Sequence, residues 1–304
     1  MTAGEKTARV YRHLDEIDFR LDELPAVPRP GRVVMAQPDY FDVSYVINPH
    51  MAAHVGQVHV GQAAEEWRTL RRAYESLSIP VETVAAQEGL PDLVFCANQT
   101  LPYYRPDSGE RGVVLSRMHA PQRREEVPHF ARFFKGIGYE VAQLADPTLE
   151  FEGMGDAIWH PGRHLLWGGY GHRTSLAAYR AISERLNVRI LALRLPDERF
   201  YHLDTCFSIL DDRHVLVYPD ALDEDGLAII RAFFEHVIEA PEDEALGRFA
   251  CNAHCPDGEH VLIQRGCRLT NHRLEERGFT PVEVDTDEFL KSGGSVFCMK
   301  QMIW

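Results

Sequence analysis

Two residues of the types that carry out covalent and proton-transfer chemistry lie in similar local contexts. Cys298 lies in the segment SGGSVFCMK, and His202 lies in FYHLDTCF. A cysteine thiolate is a strong nucleophile, and it needs a basic or cationic neighbour to form near neutral pH. Imidazole exchanges protons in that pH range. A single cysteine is more often an inert buried residue, but this pair predicts catalysis with Cys298 as nucleophile and His202 as acid/base.

Carboxylates accompany the predicted acid/base. Asp204 follows His202 by two residues, and a strand at this point would place both side chains on one face. Glu152 and Asp156 lie in FEGMGDA, around a Gly-x-Gly turn. We expect Glu152 to enter the pocket and Asp156 to brace the chain behind it. An imidazole beside carboxylates suits proton transfer together with the binding of a cation.

Two arginines end predicted strands near the mouth of the expected pocket. Arg117 lies in VVLSRM and Arg173 lies in GYGHRTS. Arginine binds carboxylates through paired hydrogen bonds, so both are candidates for holding an acidic group of the substrate. Their position alone is equally consistent with surface charges.

One cysteine-rich run resembles part of a metal site, namely Cys251, His254 and Cys255 in CNAHC. A structural zinc site needs four ligands at suitable spacing. The sequence contains no second Cys/His pair with matching spacing, no H-E-x-x-H and no P-loop. We therefore predict neither a metal nor a cofactor.

The elements that must bring these residues together recur along the chain. Five segments share an apolar approach, a polar centre and a second apolar run, and they cover residues 92–101, 150–159, 200–210, 248–255 and 293–304. Their central polar residues are Asn98, Glu152, His202, Asn252 and Cys298, at intervals of about 50 residues. A period of this length is typical of a closed array of repeats.

The material between the polar segments repeats as well. Helix-like stretches, with apolar residues at spacings of three and four, cover 63–77, 126–138, 175–187, 226–236 and 269–278, and each leads to a short strand. Further strands are predicted at 112–117, 164–170, 214–220 and 260–266. The pattern predicts an α/β propeller-like fold with a pseudo-fivefold axis and one polar segment from each unit at its centre. The alternative is a two-layer α/β protein with evenly spaced strands.

Composition and charge restrict the kinds of molecule that the chain is expected to bind. The chain has 46 acidic against 32 basic residues, a net charge of −14. This argues against nucleic acid or an anionic membrane, which select positive surfaces, and it would attract a cationic small molecule or simply aid solubility. No stretch approaches the roughly 18 apolar residues of a membrane span, and the polar N-terminus lacks a signal-peptide core. We expect a cytoplasmic protein whose six cysteines form no disulfide framework.

The domain organisation is expected to be simple. Residues 1–31, with Pro28 and Pro30 near their end, are predicted to form an N-terminal arm. Residues 32–304 are predicted to form a single catalytic α/β domain. The sequence does not determine the oligomeric state, and a homo-oligomer is one of the alternatives.

Six ordered motifs resemble those of the guanidine-group-modifying enzymes, which include arginine deiminases, dimethylarginine dimethylaminohydrolases, arginine dihydrolases and amidinotransferases. The motifs are DYFDVSYVINPHM (39–51), LPDLVFCAN (90–98), FEGMGDA (151–157), WGGYGHRT (167–174), DERFYHLDTCF (197–207) and LKSGGSVFCM (290–299). The resemblance runs from about residue 32 to the C-terminus. It implies the five-bladed α/β-propeller, or pentein, fold and a cytoplasmic hydrolase of a guanidinium group.

The resemblance also implies roles for individual residues. By motif, Cys298 corresponds to the nucleophile and His202 to the general acid/base, while Glu152 supports His202 and the guanidinium. Asp204 would bind guanidinium nitrogens. The α-carboxylate of the substrate would be held by Arg117, Arg173 and Asn48. The resemblance implies no firm role for Asn252.

One departure bears on the substrate. Where arginine deiminases resemble F-T-R-D, this chain has FCAN, so that the amide of Asn98 replaces a carboxylate. The position also resembles Asn in arginine dihydrolases and in some bacterial dimethylargininases. An amide can donate to the ureido oxygen of citrulline, whereas a carboxylate only accepts. Arginine dihydrolysis to ornithine, ammonia and carbon dioxide is therefore the leading interpretation. A dimethylargininase, an amidinotransferase and a catalytically silent arginine-binding protein are the alternatives.

Overall fold

The computed structural model describes residues 8–304 of the chain. The first seven residues of the predicted arm over 1–31 lie outside this range. Within the rest of the arm, Arg9–Tyr11 is a strand that pairs in parallel with Arg189–Arg194, far along the chain. This part of the arm therefore extends a sheet of the main body.

The strands are short and lie throughout residues 8–304. They are β1 Arg9–Tyr11, β2 Arg32–Ala36, β3 Val81–Val84, β4 Thr100–Tyr104, β5 Arg111–Leu115, β6 Glu140–Ala142, β7 Ala157–Trp159, β8 Leu165–Tyr170, β9 Arg189–Arg194, β10 Phe207–Ile209, β11 His214–Val217, β12 His236–Glu239, β13 His260–Gln264, β14 Thr280–Val284 and β15 Gln301–Ile303.

The helices alternate with these strands. They are α1 Val60–Ser76, α2 Val127–Gly136, α3 Gly153–Asp156, α4 Leu176–Leu186, α5 Glu224–Phe233, α6 Glu242–Gly247, α7 Arg268–Glu275 and α8 Asp287–Leu290. The five predicted helices are confirmed as α1, α2, α4, α5 and α7, with ends that differ from the predicted ones by a few residues.

The strands of residues 8–304 form five separate sheets, and the sheets share one topology. Their strand orders are β15-β2-β3, β4-β5-β6, β1-β9-β8-β7, β10-β11-β12 and β13-β14. In each sheet a helix connects two neighbouring parallel strands, for example α2 between β5 and β6. Four sheets add an antiparallel strand on the other side, and in the fifth a bridge between His254 and Leu262 takes that place.

The sequence pattern explains why these elements pack together. Helix α1 buries Trp67, Leu70 and Tyr74, which follow each other at spacings of three and four and so lie on one face. Strand β8 is buried along most of its length because it lies between two strands of its sheet. Its near-continuous apolar run is typical of a strand that is covered on both faces.

The polar segments themselves differ from the prediction. His202 and Asp204 were predicted to share one face of a strand, and this was wrong, because Leu203–Thr205 forms a 3-10 turn. The Thr205 hydroxyl donates to the His202 carbonyl at 2.6 Å, which favours the turn over an extended chain. The strand starts only at Phe207. The polar residue therefore precedes the strand of its unit.

Within residues 8–304, no helix combines the length and the apolar character that a membrane span requires.

Candidate active site

A narrow cavity lies beside the nucleophile candidate. Four of the predicted site residues line it, namely Asn48, Asn98, Arg173 and Cys298. Three others contact the lining residues directly, namely Glu152 through Arg173, Asp204 through Cys298 and His202 through the ring of Tyr201. Seven of the eight residues that were selected from the sequence thus lie together, although up to 250 positions separate them in the chain.

The chain approaches the nucleophile through two glycines. Gly293 has φ +84°, and a Cβ atom there would lie 2.9 Å from Asn48 Oδ1 and 3.0 Å from the Tyr201 hydroxyl. A side chain at this position would therefore clash with two residues of the cavity wall. The positive φ and the close approach together require glycine.

The Cys298 sulfur has polar contacts with two side chains. Its thiol donates to Asp204 Oδ2 at 3.2 Å, and it accepts from Asn252 Nδ2, also at 3.2 Å. Burial, followed by the neighbouring charge of Asp204, raises the pKa of the Cys298 thiol well above its usual range. Without a substrate, these neighbours therefore favour the neutral thiol over the thiolate. A bound cation would offset the charge of Asp204 and favour the thiolate.

His202 is held by a carboxylate. Its Nε2 lies 2.7 Å from Glu152 Oε2, while Glu152 Oε1 accepts from the backbone N–H of His119 at 2.9 Å and lies 3.6 Å from Arg173 Nη1. Burial opposes ionisation of Glu152, but the hydrogen bond to His202 and the charges of His202 and Arg173 outweigh it and lower the pKa to about 2. Because ionised Glu152 can only accept, the His202 Nε2 atom carries a hydrogen.

Asp156 supports the turn that carries His202. Its Oδ1 accepts from the Leu203 backbone N–H at 3.1 Å, and its Oδ2 accepts from the Thr174 hydroxyl at 2.6 Å. Burial raises the pKa of Asp156 to about 7. Asp156 therefore joins the turn at Leu203 to the segment of Thr174.

Two buried polar atoms at the site have no hydrogen-bond partner among the described residues. They are the donor Nδ2 of Asn98 and the acceptor Oδ1 of Asp204. Burial raises the pKa of Asp204 to about 7. Since buried polar groups are nearly always paired, a donor and an acceptor left open at one site indicate a ligand with complementary atoms.

Asn48 and Arg173 connect the 39–51 segment to the cavity. Asn48 Nδ2 donates to the Ser292 carbonyl at 2.9 Å, next to the nucleophile segment. Arg173 Nη2 donates to the Ile47 carbonyl at 2.6 Å, and its guanidinium lies 5.1 Å from the centre of the Tyr201 ring. Both residues line the cavity beside Cys298.

The structure does not bring Arg117 to this cavity. Arg117 lines a separate groove with Arg124 and Glu150, and its backbone pairs with Phe151. The second guanidinium that lines the cavity belongs to Arg123.

Sequence reasoning missed Arg123 and Asp92. Arg123 Nη1 donates to Asn98 Oδ1 at 2.8 Å and pairs with buried Glu126 at 2.9 Å. In the sequence, Arg123 lies in the charged run PQRREE, which reads as surface. Asp92 accepts from the Tyr45 hydroxyl at 2.7 Å and lies within the LPDLVFCAN motif. That motif was the available signal for Asp92.

The cysteines and the histidine of the CNAHC segment, which resembles part of a metal site, do not share a common partner in the contacts described. His254 Nδ1 lies 2.9 Å from the Tyr74 hydroxyl, and Cys251 and Cys255 are free thiols. Among residues 8–304, no group of three or more His, Cys, Asp or Glu side chains is arranged to hold a metal ion.

The turn next to Glu152 requires glycine at position 153, and a substitution can test this requirement. Gly153 has φ +54°, and a Cβ atom there would lie 2.6 to 2.7 Å from the carbonyl oxygens of Thr100, Ala97 and Asn98. Gly153→Ala is expected to lower the free energy of unfolding by about 2–5 kcal/mol, because backbone strain and overpacking add. Gly162→Ala is the matched control, since Gly162 has φ +73° with no atom within 4 Å. It should cost only about 1–2 kcal/mol. Equal losses in urea unfolding would contradict the close approach.

Comparison with known proteins agrees with this geometry. A family model described as "N,N dimethylarginine dimethylhydrolase, eukaryotic" matches residues 42–304. The chain is 37% identical over 270 residues to the bifunctional arginine dihydrolase/ornithine cyclodeaminase ArgZ of Synechocystis, covering 88% of this chain and 37% of that protein. It is 34% identical over 271 residues to the dimethylarginine dimethylaminohydrolase of Mycobacterium tuberculosis, covering 89% of this chain and 85% of that protein.

A solved structure shows the same fold. The N-terminal domain of ArgZ, bound to its substrate, superimposes with a TM-score of 0.83 at 36% identity, covering 90% of this chain and 97% of that domain. The chain spans 37% of the length of the full bifunctional relative.

The fold and the site define a member of the guanidine-modifying superfamily, as the motifs predicted. Within that superfamily, the chain belongs to the dimethylarginine dimethylhydrolase family.

Proposed function

We propose that the chain is a cysteine-dependent arginine dihydrolase, which converts arginine and two molecules of water to ornithine, two of ammonia and carbon dioxide. The observation that carries this proposal is the orientation of the Asn98 amide. Arg123 occupies its oxygen at 2.8 Å, and its nitrogen has no partner among the described residues. The amide thus offers a donor, which suits the ureido oxygen of a citrulline intermediate better than a guanidinium.

The substrate would be held at both ends. At the guanidinium end, Asp204 Oδ1 is the open acceptor beside Cys298. At the other end, the guanidinium group of Arg173 and the amide of Asn48 would bind the α-carboxylate. The donors of Arg123 are taken by Asn98, Glu126 and the carbonyls of Asp92 and Phe95. Arg123 would therefore orient the Asn98 amide and would not replace Arg117. Asp92 lines the same cavity and would attract the α-ammonium.

The first half of the reaction yields citrulline. The Cys298 thiolate attacks the guanidinium carbon, and a carbon–sulfur bond forms. His202 then gives a proton to the departing nitrogen as the carbon–nitrogen bond breaks, which releases ammonia and leaves a thiouronium on Cys298. His202 next takes a proton from water, whose oxygen replaces sulfur. The carboxylate of Glu152 stabilises the protonated form of His202 that each step passes through.

The second half repeats these steps on the ureido group. Cys298 attacks the ureido carbon, a second ammonia leaves, and water releases a carbamate that loses carbon dioxide to give ornithine. The ureido group is neutral, so it binds Asp204 less strongly than the guanidinium does. A donor to its oxygen therefore has most effect in this half.

Changing the Asn98 amide to a carboxylate tests its role. Asn98→Asp is expected to raise the ratio of released citrulline to ornithine at least about tenfold, since the open donor is lost and the new charge repels the ureido oxygen. The products are resolved by mass spectrometry with arginine as substrate. Asn187→Asp, at the exposed end of α4, is the control for the same chemical change. An unchanged ornithine yield in Asn98→Asp would show that the amide does not hold citrulline.

A second candidate function is the hydrolysis of dimethylarginine to citrulline and dimethylamine, which the match of the family model over residues 42–304 favours. The ratio of kcat/KM values for arginine and asymmetric dimethylarginine separates the two. A ratio above one supports the dihydrolase, and a ratio below one moves the assignment to the dimethylargininase. Turnover that requires an added amine would indicate an amidinotransferase, and binding without turnover a silent binding protein.

We also propose that the five sheets are the blades of a five-bladed α/β propeller, with residues 32–304 as one catalytic domain and residues 1–31 as an arm. Support comes from the topology that the sheets share and from the polar segment that precedes the antiparallel strand or bridge of each unit. A central cavity between such blades would explain how residues 250 positions apart meet.

A further inference from the structure

Asn252 is the central polar residue of the fourth repeat, and the proposed reaction leaves it without a role. It is fully buried, and both the oxygen and the nitrogen of its side-chain amide form hydrogen bonds. Oδ1 accepts from the backbone N–H groups of Phe297 at 3.0 Å and of Cys298 at 3.3 Å. Nδ2 donates to the Asp204 carbonyl at 2.9 Å and to Cys298 Sγ at 3.2 Å.

The backbone around Asn252 is held in an uncommon conformation. Phe249, three residues earlier, has φ +51°, which is rare for an aromatic residue. The Asn252 backbone N–H donates to the Phe249 carbonyl at 2.8 Å. This turn therefore fixes the backbone from which the Asn252 side chain projects. The ring of His50 packs against Phe249 at 4.8 Å. Strain of this kind is retained where the surrounding structure enforces it, and it clusters at functional sites.

We infer that Asn252 is a positioning residue that fixes the Cys298 sulfur beside Asp204 and stabilises the thiolate. The inference rests on the proposed role of Cys298 as nucleophile. An amide is suited to this task, because one end accepts from the backbone of the nucleophile while the other end donates to its sulfur. An aspartate could accept from the backbone but could not donate to a thiolate. Alanine could do neither.

Several groups besides Asn252 affect the ionisation of the Cys298 thiol, and all of them stay unchanged in the test. Asp204, at 3.2 Å, disfavours the thiolate. Burial lowers the pKa of Lys300 to about 7, and the protonated form of this amine, which interacts electrostatically with Cys298 and Asp204, favours the thiolate. Tyr201 interacts with the sulfur as well. The groups that face the same cavity from other elements are Arg123, Arg173 and Asp92, with His202 and Glu152 behind them.

The test measures alkylation of Cys298 by iodoacetamide as a function of pH, without arginine. In this reaction the thiolate forms a carbon–sulfur bond as the carbon–iodine bond breaks and iodide leaves, so the rate reports the thiolate fraction. Peptide mass spectrometry separates Cys298 from the other five cysteines. Asn252→Asp is expected to react about 10- to 100-fold more slowly at neutral pH. Its inflection should lie at least about one pH unit higher than in the unchanged protein.

Two further variants keep the test decisive. Asn252→Ala removes the donor without adding a charge, and it is expected to slow alkylation at least about tenfold. Asn187→Asp, at the exposed end of α4, carries the same chemical change as Asn252→Asp and should leave the profile unchanged. Thermal unfolding identifies any variant that does not fold, and only folded variants are compared.

The outcomes separate this inference from the proposed function. A folded Asn252→Asp or Asn252→Ala protein that reacts at the unchanged rate with an unchanged inflection would overturn the role of Asn252, whatever the substrate is. Because arginine is absent from the assay, failure of the chain to turn over arginine would not affect the result. If arginine is turned over, the variants should lower kcat by at least about tenfold and leave KM nearly unchanged, since the amide contacts the nucleophile and not the cavity.

Discussion

Cys298→Ala is expected to lower arginine turnover by at least about four orders of magnitude, because the covalent route requires the sulfur. The cavity itself should persist, since Cys298 contributes only one of the groups that line it. The variant should therefore still bind arginine, as isothermal titration calorimetry would measure. Loss of turnover with retained binding separates removal of the nucleophile from collapse of the site.

The matched control for this variant is Cys255→Ala. Cys255 is a free, partly buried thiol that lies outside the Cys298 cavity, so its removal should leave turnover close to that of the unchanged protein. If Cys298→Ala kept more than about one per cent of the activity, a route through bound water rather than through sulfur would have to be considered.

His202→Asn is expected to reduce kcat by about 10²- to 10⁴-fold, because His202 serves as acid in one step and as base in the next. Asparagine retains a polar group near Glu152 but cannot exchange protons near neutral pH. Water must then attack the covalent intermediate without a base. Intact-mass measurement in the presence of arginine should therefore reveal a population of modified Cys298 that the unchanged protein does not accumulate.

A control and a second variant locate the effect. His129→Asn, on α2 and remote from the cavity, should leave kcat unchanged. Glu152→Gln should lower kcat as well, and combining it with His202→Asn should add little, because the two side chains act as one unit through their 2.7 Å contact. Full additivity of the two effects would argue against a shared role.

Much of the fold could be predicted because local patterns agree with the tertiary structure. The apolar residues of α1 recur at spacings of three and four, and the period of about 50 residues relates the five polar segments. The site residues Cys298, His202 and Glu152 were predictable since they occupy equivalent positions in that repeat. The turn at Leu203–Thr205 was not, because side-chain hydrogen bonds such as that of Thr205 override the alternation of a strand.

The sequence alone could not predict which of two arginines, Arg117 or Arg123, lines the cavity. Arg117 ends a predicted strand, whereas Arg123, six residues later, lies in a charged run that reads as surface. In the structure Arg123 lines the cavity and contacts Glu126 and Asn98, while Arg117 lines a separate groove and its backbone pairs with Phe151. The Arg117–Phe151 and Arg123–Asn98 contacts join segments that are distant in the chain, and the sequence carries no local signal for them. The role of Asn252 was hidden for the same reason, since it depends on four contacts to residues 45 to 48 positions away.

The most direct test of the account uses arginine labelled with ¹³C at the guanidinium carbon, incubated with the purified protein and with Cys298→Ala as control. If the chain is an arginine dihydrolase, the label leaves as carbon dioxide, ornithine is unlabelled, and two ammonia molecules form per arginine, all only when Cys298 is present. Label that remains in citrulline would show that the reaction stops after one hydrolysis. Unchanged arginine, or equal products from the control, would contradict catalysis by Cys298 altogether.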